Sequence, residues 1–518
     1  MQTNEWVTLL TILAYMALIV AVGIRYSRRA GRGAESFFLG GRSLGPLVTA
    51  MSAEASDMSG WLLMGMPGLA LLMGTAEAFW TALGLALGTY LNWLFVARRL
   101  RRYTVLTGAI TIPGFFSRRF RDERRILSTL AAAIILVFFV PYTASGFVTC
   151  GKLFSSLFGM EYTRAMLLSA AIIVVYTALG GFLAASVTDY LQSILMTVAL
   201  LAVIGFGLVY AGGLGAVVEN ARSIPQYFSL TAVAGQGAGS FGFLPILSTM
   251  AWGLGYFGVP HVLLRFMAIR REEELNAARR IGSVWVVVSM AAAIAIGVVG
   301  RTLMDGGLVG PYGSTADSET IIVAVARIIS ASGPALAALA GLILAGILAA
   351  TMSTADSQLL TAASSVSEDL FKGLFRRQLG EKQSLWVARA TVVAVSLVAA
   401  VLAYDPNSSV FQIVSFAWAG FGAAFGPLML FSLFWKRTTL SGAVAGMITG
   451  GATIFLWKFL VRPHVPFLDF YELLPAFLAS ALAIYTVSLL SFAPDEAVQA
   501  EFDRVSGKTE KKGHPRPF

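Results

Sequence analysis

Charge is scarce in this sequence. Only 13% of its 518 residues are Asp, Glu, Lys or Arg, against roughly 25% in an ordinary soluble domain. Hydrophobic residues make up 57%, and the mean hydropathy is +0.75. A water-soluble globule of that composition has too little polar surface to cover its apolar surface. This excludes a soluble enzyme, a nucleic-acid-binding module and a disordered scaffold. Cysteine is nearly missing. Cys150 is the single copy, so neither an intramolecular disulfide nor a cysteine-based zinc cluster can form. Within the apolar stretch 147–150 it reads as a small buried hydrophobe. No metal cluster, nucleophile–His pair or phosphate loop stands out to support catalysis. The apolar stretch 6–22 has no basic segment before it and no small-residue cleavage site after it, so it is expected to remain as a span.

Long apolar runs are what the sequence has in quantity. Spans are expected near residues 4–24, 46–70, 74–97, 127–153, 163–183, 189–212, 240–264, 282–304, 321–353, 385–404, 409–434, 438–461 and 468–491. At ~20 residues per crossing these make about thirteen helices of an all-α polytopic membrane protein. The 38 Lys+Arg outnumber the 28 Asp+Glu, a net charge of +10, and they gather on alternate connections. One group is Arg25, Arg28, Arg29, Arg32 and Arg42; a second runs from Arg98 to Arg125; later groups are Arg265 to Arg280, Lys372 to Lys382, and Lys436 with Arg437. Basic loops stay on the cytoplasmic side. The expectation is therefore a multi-pass protein of the cell membrane, N-terminus outside and the tail after Phe492 inside, its positive charge topological and not a sign of nucleic acid.

Two spans are abnormal in matching ways. The second carries Ser52, Glu54, Ser56, Asp57, Ser59 and Gly60, then Gly65, Pro67 and Gly68. The seventh places three glycines and Pro260 between Trp252 and His261. A pair of Gly/Pro-interrupted spans, each heading a run of helices, points to inverted five-helix repeats with two broken helices and a binding site at the membrane midplane. The organisation expected is an extra helix and basic loop over 1–45, repeats over 46–212 and 240–404, two further helices over 405–491, and a polar tail over 492–518. Asp57 is the most informative residue, because an intramembrane carboxylate costs at least ~2.5 kcal/mol and marks an ion path or a buried partner. Hard cations prefer oxygen ligands. In a helix the Ala350 carbonyl and the Ser353 and Thr354 hydroxyls fall at i, i+3 and i+4, on one face. The alternative is that both hydroxyls bond back to carbonyls one turn earlier.

The segment Ser52 to Gly68 resembles the first core helix of the sodium/solute symporter family, within it the branch that carries proline. Gly180 to Leu183 with Thr188-Asp189, Trp252 to Gly258 with Pro260-His261, and Ala350 to Thr354 with Glu368-Asp369-Leu370 follow in that family's order and spacing. The resemblance implies a leucine-transporter-type fold, with one helix before the ten-helix core and two after. It also implies sodium ligands at the backbone oxygens of Ala55, Met58 and Ala350 and the side chains of Ser353 and Thr354, with Asp57 and Asp189 on the sodium access or coupling path. Asp189 alternatively reads as an interfacial residue opening the sixth span. Ser59, Gly60 and Trp61, where the broken span restarts, are expected to offer N–H groups to a carboxylate. Trp252, Tyr256 and Tyr142 are expected to wall a compact zwitterion.

Two residues depart from the pattern. Glu54 stands where relatives carry a small residue, which raises proton use or altered stoichiometry, and Val187 replaces an aromatic. The function expected is sodium-coupled import of L-proline by alternating access, by a monomer in the lipid bilayer with Na+ as coupling ion. The alternatives are the same mechanism with another amino acid, pantothenate or a monocarboxylate, or a transporter-fold sensor.

Overall fold

The computed structural model describes residues 3–27, 34–371 and 380–506. Helix α1 is Thr3–Ser27. The second span is α2, Pro46–Gly60, followed by a wide turn and α3, Met66–Met73. Next come α4, Thr75–Leu91, which runs on as far as Thr107, α5, Ile126–Phe158, α6, Tyr162–Gly180, and α7, Phe182–Tyr210. The seventh span is α8, Phe243–Met250, a tight-wound segment Ala251–Phe257, and α9, Pro260–Ala268. Then follow α10, Leu275–Asp305, α11, Ile321–Ala331, α12, Pro334–Ser364, α13, Glu381–Leu402, α14, Val410–Phe434, α15, Leu440–Leu456, α16, Leu473–Leu490, and α17, Glu496–Val505. Among the described residues, ten helices are long and apolar enough to cross a membrane. The three remaining expected spans are the two interrupted ones and α6, whose apolar stretch Tyr162–Ala178 is shorter.

The two interruptions form for different reasons. In α2 the chain is helical to Met58, and then Ser59 takes φ +30° and ψ −168°, which breaks the ladder. In the seventh span the carbonyls freed at Trp252 and Tyr256 are taken by the Trp418 indole Nε1 at 2.8 Å and the Asn92 amide at 2.9 Å. Irregular backbone is thus satisfied by neighbouring helices, as hydrocarbon depth requires. Gly253 is indispensable to this packing: a Cβ there would collide with the Gly84 carbonyl, because α4 lies directly against the tight-wound segment.

Helix α12 is buried along nearly all its length and packs on α1, α2, α5 and α7. Its Ala, Gly, Ser and Thr side chains let those backbones approach closely. By contrast α1 turns Trp6, Leu10, Leu13 and Leu18 outward, where lipid can cover them.

Four expectations are corrected. The span placed at 321–353 is two helices, because Gly333 at φ +132° and Pro334 at the first turn separate α11 from α12. The region 240–404 holds four crossings and the short α11, and the region 405–491 holds three helices, α14, α15 and α16, where two were expected. Arg119 and Arg265, counted with solvated basic loops, are buried. The tail is not simply polar: α17 buries Val498, Phe502 and Val505 and pairs Glu501 with Arg121 at 2.6 Å and Asp503 with Lys436 at 2.5 Å. Arg28, Arg29, Arg32, Lys372, Arg376, Arg377 and the tail beyond 506 lie outside the described residues.

Candidate functional site

The break in α2 meets the middle of α12. Ser353 Oγ donates to the Ala55 carbonyl at 2.8 Å and lies 3.1 Å from the Ala350 carbonyl. Thr354 Oγ1 lies 3.1 Å from the same Ala350 oxygen and accepts from Ser59 N at 3.1 Å. The Met58 carbonyl, at the break itself, accepts from Trp61 N. All five of these residues are buried. Each hydroxyl reaches back to Ala350, as the back-bonding alternative has it, and Ser353 also crosses to the other helix. The Ala55 and Ala350 carbonyls and the Ser353 and Thr354 hydroxyls, oxygens from two helices without a carboxylate among them, are the donor type that suits a small hard monovalent cation.

Asp57 sits beside this cluster on the buried side of α2. Its Oδ2 accepts from Tyr256 OH at 2.5 Å, and its backbone carbonyl accepts from Tyr142 OH at 3.1 Å. Its Oδ1 is buried with no hydrogen-bond partner among the described residues. The two interrupted spans are thus tied together through one carboxylate. Of the three N–H groups expected to receive a substrate carboxylate, two have internal partners: Ser59 N donates to Thr354 and Trp61 N to Ser59 Oγ at 3.3 Å.

Asp189 does not open a helix. Helix α7 begins at Phe182, about two turns earlier, and Asp189 is fully buried. Its Oδ2 accepts from Arg265 Nη2 at 3.0 Å and from Ser52 Oγ at 2.6 Å. Arg265 also donates to Ser52 and to Ser357, whose hydroxyl is 3.3 Å from Asp356. This network joins α2, α7, α9 and α12 one layer from the hydroxyl cluster. Arg265 was missed because a basic residue near a span end reads as loop charge.

Trp61 and Trp252 face each other with centroids 5.8 Å apart. Trp252 also contacts Phe411 at 5.3 Å and stacks on Tyr471 at 5.2 Å, and Tyr256 meets Trp418 edge-on at 5.0 Å. Sequence patterns gave no signal for Phe411, Trp418 or Tyr471. A buried clamp holds this layer: Glu319 receives Lys152 Nζ at 2.7 Å, Ser409 Oγ at 2.8 Å and the Val410 and Phe411 N–H groups at 3.1 and 3.0 Å. The start of α14, and with it the Phe411 ring, is fixed by that carboxylate. Glu54 accepts from Trp93 Nε1 at 2.9 Å, and Gly282 on α10 leaves the room its carboxylate fills.

Two interrupted helices, joined across a carboxylate and backed by a hydroxyl-bearing third, are the architecture of a secondary active transporter. Solved structures carry the same fold. A Na+-coupled sialic acid symporter in a substrate-bound outward-open state superposes with a TM-score of 0.76 at 17% identity, over 95% of this chain and 99% of that one. A nucleobase-cation-symport-1 family transporter in a closed conformation gives 0.55 at 15% identity, over 90% and 98%.

The chain belongs to the sodium:solute symporter family, whose model matches residues 37–450. Among its relatives, the high-affinity proline transporter of Bacillus subtilis is 45% identical over 474 residues, 90% of this chain and 95% of the relative. The sodium/proline symporter of Escherichia coli is 42% identical over 499 residues, 95% of each chain. That of Staphylococcus aureus is 38% identical over 508 residues, 97% and 96%.

Proposed function

We propose that this protein imports L-proline by sodium-coupled symport with alternating access. The observation that carries the reading is the Ser353 hydroxyl held between the Ala55 and Ala350 carbonyls, at the break of one span and the middle of another. Na+ is a co-substrate, liganded by the Ala55, Met58 and Ala350 carbonyls and the Ser353 and Thr354 hydroxyls. In the outward state the ion ties α2 to α12, and its loss to the cytoplasm frees them to separate. Asp57 couples the two substrates, since its carboxylate adjoins the ion ligands and bonds to Tyr256 on the other interrupted span. The Asp189–Arg265 pair lies on the ion's inner path.

Proline occupies the space bounded by Trp61, Tyr142, Trp252 and Tyr256, its ammonium toward the ring faces and its carboxylate toward the break at Ser59, Gly60 and Trp61, where the Ser59 and Trp61 N–H groups give up their internal partners to receive it. Support for this substrate comes from relatives named for proline at 38–45% identity over most of the chain. The core consists of one repeat over 46–212 and a second from Phe243 to Phe434, with α1 before and α15 and α16 after. The protein works as a monomer in the bilayer, with the N-terminus outside and α17 in the cytoplasm, consistent with basic loops on that side.

Uptake into sealed proteoliposomes tests this reading. Labelled proline should accumulate only under an inward Na+ gradient. Accumulation of pantothenate or a monocarboxylate in preference to proline, or equal uptake under a proton gradient alone, would overturn it.

A further inference from the structure

Beyond the aromatic layer lies a second cavity, of about 620 Å³, lined by Trp252, Phe411 and Tyr471 at its floor and by Glu77, Lys458 and Arg462 among its walls. The volume is within the range of small-molecule sites, roughly 300–1,000 Å³. Trp252 has one side in this cavity and the other toward Trp61. The space is therefore separated from the Trp61–Tyr142–Tyr256 region by a single layer of rings.

The charges on the wall do not balance. Arg462 is engaged twice, through Nη1 with the buried Glu472 at 2.9 Å and through Nε with Asp469 at 2.9 Å. Lys458 Nζ lies 3.5 Å from Glu472, beyond a good hydrogen bond, and 4.9 Å from the Phe416 ring centroid. These two cations and two carboxylates cancel. Glu77 is left over. It lies in the first turn of α4, makes no hydrogen bond or ion pair among the described residues, and feels the charge of Arg462, whose guanidinium is already committed. An uncommitted carboxylate, an ammonium with donors to spare and a stacked apolar floor face one water-accessible space. That is a complementary set for a small zwitterion with an apolar ring.

We infer that this cavity is a docking site where the zwitterionic amino-acid substrate is first held, its ammonium on Glu77, its carboxylate on Lys458 and its ring on Trp252 and Tyr471, before the aromatic layer opens. The inference rests on the amino-acid import proposed above. Docking raises the local substrate concentration beside the gate without contributing to the steps that follow. Its loss therefore shows in the Michaelis constant, not in the maximal rate.

The experiment is labelled-proline uptake in proteoliposomes with wild type, Glu77→Gln, Glu77→Asp and Lys458→Met, at saturating Na+. Glu77→Gln and Lys458→Met should each raise the Michaelis constant about fivefold or more, as expected on losing one charge-assisted contact. The maximal rate and the half-saturating Na+ concentration should stay at wild-type values, and Glu77→Asp should retain most of the affinity. An unchanged Michaelis constant in both neutral variants overturns the docking site, as does a fall in maximal rate with affinity intact, since either result leaves Glu77 and Lys458 structural. Should one charge-neutral variant fail to reach the membrane, the other reads the split on folded protein, with Lys458→Gln as a second neutral change at the other wall. Wild type that carries another amino acid in place of proline would sink the proline assignment alone, and the same variants are then read with that amino acid.

Discussion

The Ser353 hydroxyl donates to the carbonyl of Ala55, 298 positions earlier in the chain, across 2.8 Å. This contact joins the helix that breaks to the one that does not. An ion seated there must share both partners. Removing either hydroxyl of the pair should weaken the ion and not the substrate. Ser353→Ala and Thr354→Ala should each raise the half-saturating Na+ concentration by about tenfold or more, equivalent to ~1.4 kcal/mol, with proline affinity at saturating Na+ changed far less. Titrating uptake against Na+ checks this; unchanged Na+ dependence in both variants removes them from the shell.

Asp57 combines the geometry of a coupling group with a buried Oδ1 that no described residue satisfies. Asp57→Asn keeps its size and one acceptor for Tyr256 but loses the charge. Sodium-driven uptake should fall below about a tenth of wild type while the protein still reaches the membrane. Tyr256→Phe should do less damage, because the carboxylate itself remains. Wild-type transport by Asp57→Asn contradicts the coupling role.

The aromatic layer yields a prediction for substrate. Trp252→Ala removes contacts to Trp61, Phe411 and Tyr471 at once, so the apparent Michaelis constant for proline should rise by about tenfold or more. Equilibrium Na+ binding measured without proline should move far less. Normal proline affinity in both Trp252→Ala and Tyr256→Ala would take the substrate away from these rings.

Arg265 carries a prediction about stability. It and Asp189 are 1% and 0% exposed at the side chain, and taking away one partner leaves the other charge buried and uncompensated, at about 3–5 kcal/mol. Arg265→Met should lower the thermal unfolding midpoint of the purified protein markedly. The double variant Arg265→Met/Asp189→Asn should recover most of that loss. Equal midpoints for the single variant and wild type would mean that the pair contributes little.

The crossings and the shared face of Ala350, Ser353 and Thr354 were legible in the sequence because their signals are local: apolar runs of fixed length, glycines clustered with proline, and hydroxyls three and four residues after Ala350. Signals that depend on tertiary pairing were not. Arg265 looks like loop charge until α7 and α9 are brought together, and Asp189 looks like a helix start until α7 is seen to begin at Phe182. Glu319 gives no hint in sequence that it caps α14, 90 positions away. Hydropathy also ran α11 into α12, though Gly333-Pro334 was in the sequence to separate them.

Coupling is the central claim, and flux of the ion tests it most directly. Proteoliposomes with equal Na+ inside and out, and proline outside only, should take up 22Na+ against no gradient of its own, because a coupled carrier must draw the ion in with the substrate. Ser353→Ala should slow that uptake at low Na+, and Asp57→Asn should abolish it. If 22Na+ influx in wild type is the same with and without external proline, the two solutes are not coupled and the account fails.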